Sequence, residues 1–159
     1  VTSGQYGVFG SVVTVVTDGS GNRIVRRLEV FQESFAKYAY FTDVEGAISV
    51  AVVDDATIHD VNLRFLQHDE PTDVVSFVLE EDDKLLEGEV VLGADVAVRT
   101  AAELGVSPAD ELLLYCIHGT LHLVGHDDLT PEPRKLMRSQ ERAYLAGFGI
   151  ELPSPSEEV

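Results

Sequence analysis

The sequence has few of the residues that mark secreted or membrane proteins. Cysteine occurs once, at Cys116, which excludes an internal disulfide and fits a reducing compartment. No apolar run reaches the ~18 residues that a membrane span needs, and no basic segment precedes an apolar core as in a signal peptide. These absences predict a cytoplasmic protein that does not associate with membranes.

Cations are also scarce. The chain has 11 lysines and arginines against 28 aspartates and glutamates, a formal net charge of −17. Such a chain repels phosphate at long range, whereas nucleic-acid-binding proteins usually carry a basic face. A nucleic-acid substrate would therefore require a local basic patch, a bound metal ion or a partner that presents it. Arg23, Arg26 and Arg27 form one cluster, for which a solvated helix face is a simpler interpretation than RNA contact.

The length and the apolar content predict one domain. A chain of 159 residues with 45% hydrophobic residues can bury a sizeable core. We predict a single domain over residues 1–152. The last residues, 153–159, are rich in proline, serine and glutamate, and we predict a disordered tail there.

The periodicity of apolar residues predicts an α+β fold. Runs of β-branched residues predict strands at 11–17, 47–53, 73–79 and 86–93. Apolar spacings of three and four predict helices at 23–40, 57–66, 95–104, 110–124 and 131–146. The second helix would open on a capping box at Thr57, and the last would turn Leu136, Ala143 and Leu145 inward. This order indicates a small mixed β-sheet with packed helices.

The helix predicted at 110–124 has almost no polar face, so it should lie buried against the sheet. Ser107 suits its N-cap, Pro108 its first position and Gly125 its C-terminal end. His118 and His122 interrupt the apolar surface four residues apart, which places them on one face of the helix.

Two imidazoles in that arrangement can share one metal ion. The partial negative charge at the helix C-terminus also favours a cation there. Beyond Gly125, the residues His126, Asp127 and Asp128 are candidates for a third ligand. The alternative is a pair of core histidines satisfied by backbone or carboxylate partners.

Residues 118–128 resemble the signature HGxLHLxGYDH of the YbeY family of metal-dependent endoribonucleases. Their sequence is HGTLHLVGHDD. Two further stretches, 61–66 and 71–77, resemble the family segments LNxxyR and PTDVLSF, and Gly88-Glu89-Val90 is a weaker match to LGDI. The resemblance extends over about residues 45–145. Because the motifs occur in the family's order, it is far more specific than the histidine pair alone.

The resemblance implies a zinc-dependent endoribonuclease with one Zn²⁺ per chain, acting on single-stranded or ribosomal RNA in rRNA maturation and ribosome quality control. The ribosome or its assembly factors would be its partners, and DNA would not be a substrate. Arg64 would be the arginine that acts near the metal, while Thr72, Asp73 and Ser76 would contact the substrate.

The third metal ligand departs from the family pattern. Asp128 stands where the family has its last histidine, and His126 stands at the family's tyrosine. Zinc accepts either donor. We predict Asp128 from its spacing, with His126 as the alternative ligand and otherwise lining the pocket.

Two other functions remain open. One is a different metallohydrolase, acting on a peptide or a small phosphoester; the other is a non-catalytic ribosome-assembly domain with a structural metal. Zinc peptidases with HExxH place a glutamate directly after the first histidine, and Gly119 stands there in this chain. A structural zinc site would have four protein ligands, whereas a catalytic site keeps a position open. The sequence does not identify a general base.

Overall fold

A computed structural model of the chain describes residues 45–81, 85–151 and 153. They form three strands, β1 (Glu45–Val53), β2 (Val74–Glu81) and β3 (Leu85–Gly93), and four helices, α1 (Asp55–Leu66), α2 (Ala94–Leu104), α3 (Pro108–Leu123) and α4 (Pro131–Gly147). The strand predicted at 11–17, the helix at 23–40 with its arginines and most of the predicted tail lie outside the described residues, so the domain boundary stays a prediction. None of the described helices is long and apolar enough to cross a bilayer.

The three described strands form a mixed sheet in the order β1-β3-β2. Strand β3 is central, and it pairs parallel with β1 and antiparallel with β2. Its Val90 and Leu92 are fully buried. The parallel pairing is possible because α1 and β2 supply the crossover between β1 and β3. The predicted α+β fold with a small mixed sheet is confirmed.

Helix α3 packs directly on this sheet, and Gly119 allows the close approach. A Cβ atom at this position would lie 2.7 Å from Val74 Cγ2 and 2.8 Å from both Ser76 Oγ and Val90 Cγ1. The Ser76 hydroxyl donates a hydrogen bond to the Gly119 carbonyl at 2.8 Å. These contacts fix the depth of the helical turn that carries the two histidines.

The C-terminal end of α3 is a Schellman motif. Gly125 has a φ of +96°, and its N–H donates to the His122 carbonyl at 3.1 Å. The N–H of His126 donates to the Leu121 carbonyl at 2.9 Å. This pair of bonds closes the helix and reverses the chain. The predicted glycine stop is confirmed, and the turn brings Asp128 back toward the histidines.

The N-terminal ends of two helices test the predicted caps. Ser107 Oγ accepts from the Ala109 N–H at 3.2 Å, which confirms the predicted cap of α3. Helix α1 begins two residues before the predicted start, because Asp54 is its N-cap and accepts from the Thr57 N–H at 2.9 Å. The predicted capping box at Thr57 is therefore wrong.

The inward face of α4 is only partly as predicted. Leu145 is buried, but Leu136 is 53% exposed and Ala143 also faces solvent. The helix packs through a stripe at spacings of four that includes Met137, Glu141 and Leu145. Leu136 lies one residue off this stripe, which turns its side chain away from α3.

Candidate active site

His118, His122 and Asp128 come together where α3 ends. The Nε2 atoms of the two histidines are 3.0 Å apart. The Asp128 carboxylate lies 3.6 Å from Nε2 of His118 through one oxygen and 3.7 Å from Nε2 of His122 through the other. Within the described ranges, this is the one group of three possible ligands whose donor atoms lie within 4.8 Å of one another.

Outer hydrogen bonds orient both imidazoles. His118 Nδ1 lies 2.6 Å from Glu141 Oε1, and His122 Nδ1 lies 3.1 Å from the main-chain oxygen of His126. A carbonyl or carboxylate oxygen only accepts, so each Nδ1 carries a proton, and in the neutral form of each ring Nε2 presents a lone pair. In that form the two lone pairs, 3.0 Å apart, repel each other unless a proton or a metal ion is shared between them. With the Asp128 carboxylate beside them, the two imidazoles form a donor set that could hold a metal ion.

The electrostatics of the site also favour a cation. Burial by itself lowers the pKa of His118, but the hydrogen bond to Glu141 and the negative charges of Glu141 and Asp128 outweigh it. The pKa of His118 is therefore raised above its ordinary value. Protons and metal ions compete for the same nitrogen, so metal loading should weaken as the pH falls.

A cavity of about 620 Å³ opens beside the three side chains. His118 and Asp128 line one part of it, and α4 closes another part with Arg134, Arg138 and Glu141. The segment before β2 and the first half of α3 complete the wall with Thr72, Asp73, Glu111 and Tyr115. The cavity is therefore open to His118 and Asp128, two of the three candidate ligands.

A family model described as Endoribonuclease YbeY matches residues 20–149 of the chain. The chain belongs to the YbeY endoribonuclease family. An endoribonuclease YbeY of Rhodopirellula baltica is 48% identical over 134 residues, which cover 83% of this chain and 69% of that protein. One from Carboxydothermus hydrogenoformans is 40% identical over 108 residues, covering 67% of this chain and 75% of the relative. Membership in the YbeY family confirms the resemblance and supports a nuclease role.

The fold has a counterpart among solved structures. The solution structure of TM1509 from Thermotoga maritima matches with a TM-score of 0.58, covering 89% of this chain and 92% of that one. At 24% sequence identity this likeness shows a shared fold alone.

The structure brings the Asp128 side chain to the two histidines, as the YbeY spacing predicted. His126 contributes through its main-chain oxygen, and its imidazole is not part of the ligand group. The geometry therefore favours Asp128 over His126 as the third ligand, and the binding itself stays a prediction.

Arg64 lies away from this group. It sits on α1 with its side chain 70% exposed, where its Nε bonds to Asp60 at 2.9 Å. It does not line the cavity described above. Counting from Asn62, the arginine of the YbeY pattern LNxxyR falls on Leu66, two residues beyond Arg64. The catalytic role of Arg64 stays a prediction without a contact that supports it.

The predicted substrate-binding residues divide into two groups. Thr72 and Asp73 line the cavity, and Asp73 Oδ1 accepts from the Thr72 hydroxyl at 3.0 Å and from the Val74 N–H at 2.8 Å. Ser76 lies under α3, where its hydroxyl is bonded to the Gly119 carbonyl. Contact between the substrate and any of the three stays a prediction, and the position of Ser76 does not support it.

Sequence reasoning missed two carboxylates. Glu141 lies outside the YbeY motifs, and the spacing of four between Met137, Glu141 and Leu145 was the signal that could have placed it inward. Glu111 is 3% exposed and lines the cavity, and its Oε2 has no hydrogen-bond partner among the described residues. Burial raises its pKa above the ordinary value, although hydrogen bonding to Tyr115 lowers it in part.

Proposed function

We propose that this chain is a zinc-dependent endoribonuclease that cleaves single-stranded RNA. His118, His122 and Asp128 would hold one Zn²⁺ per chain. The observation that carries the proposal is the convergence of two imidazole Nε2 atoms and a carboxylate beside an open cavity. Membership in the YbeY family supports the reaction type.

The chain's own residues prepare the site. Glu141 and the His126 carbonyl hold the imidazoles in the orientation that frees Nε2. The cavity admits a phosphodiester beside the ligands. When bound, the zinc ion would lower the pKa of a water molecule and polarise a phosphoryl oxygen.

The described ligand set argues against a structural metal site. Structural zinc sites are closed by four protein ligands, whereas three protein ligands with an open position are typical of catalytic zinc. Three possible ligands meet in the described part of the chain, and the group faces a cavity. A catalytic ion therefore fits better than the alternative of a non-catalytic ribosome-assembly domain with a structural metal.

The position of Gly119 argues against a zinc peptidase. The HExxH glutamate would stand at this residue. Any side chain here would run into Val74, Ser76 and Val90 of the sheet, so it could not reach a metal-bound water. A peptidase would need its base from another element.

We further propose that the RNA is ribosomal and that the enzyme acts in the cytoplasm in rRNA maturation and ribosome quality control. A chain of net charge −17 gains little from long-range attraction to RNA. The ribosome or an assembly factor would present the substrate to the cavity. In the source organism, loss of the protein should cause unprocessed rRNA precursors to accumulate; unchanged precursors would contradict this part of the proposal.

Metal analysis and cleavage together test the enzymatic proposal. Protein purified without a histidine tag should contain about one zinc ion per chain. It should cleave a labelled single-stranded RNA and leave DNA of the same sequence intact. His118→Ala and His122→Ala should lose both metal and cleavage. Full cleavage by the metal-free protein would overturn the proposal.

A further inference from the structure

Arg138 differs from the other described cations because its guanidinium has no partner among the described residues. Its side chain makes no hydrogen bond or ion pair with the rest of the described chain, yet it lines the cavity that His118 and Asp128 share. Every other described cation is engaged: Arg64 with Asp60, Arg99 with Asp55, Arg134 with main-chain carbonyls, Lys135 with Glu132, and Arg142 with a partner of its own.

The two neighbours of Arg138 on the same face of α4 both contact candidate metal ligands. Arg134, four residues before it, donates from Nε to the Asp128 carbonyl at 3.0 Å. Glu141, three residues after it, accepts from His118. Residues at these spacings are neighbours on a helix surface, about 5–6 Å apart at Cβ. Arg138 therefore lies between the two residues through which α4 reaches the ligands.

The charges around Arg138 explain why a cation is important at this position in the cavity. Glu141 Oε1 bonds to His118, and among the described residues Glu141 makes no ion pair with Arg138. The cavity's other charged lining residues apart from Arg134 are acids and His118, and the chain as a whole carries −17. An anionic substrate would gain little from such a surface without a local cation. A guanidinium offers two parallel N–H donors that match two phosphate oxygens.

We propose that Arg138 binds a backbone phosphate of the RNA in the cavity, beside the metal centre. This inference rests on the proposed RNA-cleaving function and assigns the phosphate contact to α4, where the resemblance had assigned the arginine to Arg64. Arg134 has a different role, because its bonds to the main chain position the loop that carries Asp128.

The experiment compares Arg138→Ala with Lys135→Ala in zinc-loaded protein. Lys135 lies on the same helix, is exposed and pairs only with Glu132, so both variants make the same change in net charge. A hydrogen bond to a charged group predicts about a 10–100-fold loss of kcat/KM in Arg138→Ala. Lys135→Ala should change by less than about twofold, because exposed ion pairs contribute little. Arg138→Lys should recover part of the loss. Zinc content should stay unchanged in all three variants.

Binding provides a second readout that does not depend on cleavage. The probe is a fluorescein-labelled single-stranded RNA oligonucleotide, titrated at several salt concentrations. Arg138→Ala should bind about 10-fold more weakly and reduce the slope of log K against log salt by about 0.7. Equal affinity and equal kcat/KM in Arg138→Ala and Lys135→Ala would overturn the inference. A loss confined to Arg64→Ala would overturn it as well.

The two readouts also separate this inference from the proposed function. If the wild-type protein binds RNA through Arg138 but does not cleave it, the endoribonuclease proposal fails and the phosphate contact stands. If it cleaves RNA with full activity in Arg138→Ala, the endoribonuclease proposal stands and the contact is refuted. If it neither binds nor cleaves RNA, both are overturned.

Discussion

Replacing Glu141 should weaken metal binding although this residue is not itself a ligand. Its carboxylate, 13% exposed, accepts the Nδ1–H of His118 at 2.6 Å. Loss of such an outer partner typically costs about 10–100-fold in metal affinity. That range corresponds to about 1.4–2.7 kcal/mol of binding free energy. Glu141→Gln keeps an acceptor oxygen, so its loss of zinc affinity should be near the lower end of this range. Glu141→Ala leaves the Nδ1–H without that partner, so its loss of zinc affinity should be near the upper end.

The pH of the measurement matters. Glu141 raises the pKa of His118, so its removal lowers that pKa and reduces competition between protons and zinc. At low pH, this weaker proton competition would partly mask the loss of zinc affinity. The titration should therefore be made at a pH well above the raised pKa of His118 in the wild type, so that proton competition is small in every variant.

The assay is competition for zinc with a chromophoric chelator, with circular dichroism to verify folding. The matched control is Glu132→Gln, a substitution on the same helix at a carboxylate that is 84% exposed and pairs with Lys135 at 3.4 Å. The control should bind zinc as the wild type does. An unchanged zinc affinity in Glu141→Ala would show that the hydrogen bond to His118 does not support the metal site.

Four further predictions concern the same region. Asp128→Ala should lose zinc and His126→Ala should keep it, as measured by metal analysis; the reverse result would make His126 the third ligand. Gly119→Ala should lower the free energy of unfolding by about 1–3 kcal/mol in chemical denaturation, because the added methyl group overpacks the interface between α3 and the sheet. An unchanged free energy of unfolding would show that the interface accommodates the methyl group. Since burial raises the pKa of Glu111, its contribution to stability is present at low pH and is lost as the pH rises from 4.5 through the raised value. Over that pH range, Glu111→Gln should therefore lose less stability than the wild type. Equal changes in the free energy of unfolding with pH in the two proteins would refute this. Arg64→Ala should abolish RNA cleavage with metal content intact if the sequence prediction holds, and wild-type turnover would remove Arg64 from the mechanism.

The parts of the site that the sequence predicted are those set by local signals. The apolar surface of α3, the spacing of His118 and His122 and the glycine after the helix are properties of one continuous stretch. The turn at Gly125 also lies within that stretch, so the spacing to Asp128 could be interpreted without the rest of the fold.

The parts that it did not predict depend on contacts between distant segments. Glu141 reaches His118 across 23 residues, and no local pattern links them. Leu136 and Met137 are both apolar neighbours, so only the packing of α4 against α3 decides which one turns inward. The position of Arg138 in the cavity, without a partner among the described residues, likewise becomes apparent only in the folded structure.

The bond between His122 and the main-chain oxygen of residue 126 has an evolutionary consequence. Every amino acid supplies that carbonyl, so the tyrosine of the YbeY pattern and the histidine of this chain hold the imidazole equally well. Mutations at position 126 can therefore accumulate without disturbing this support. Position 125 has no such freedom, because a φ of +96° strains any residue with a side chain. The family signature should thus tolerate drift at the tyrosine while selection retains the glycine before it.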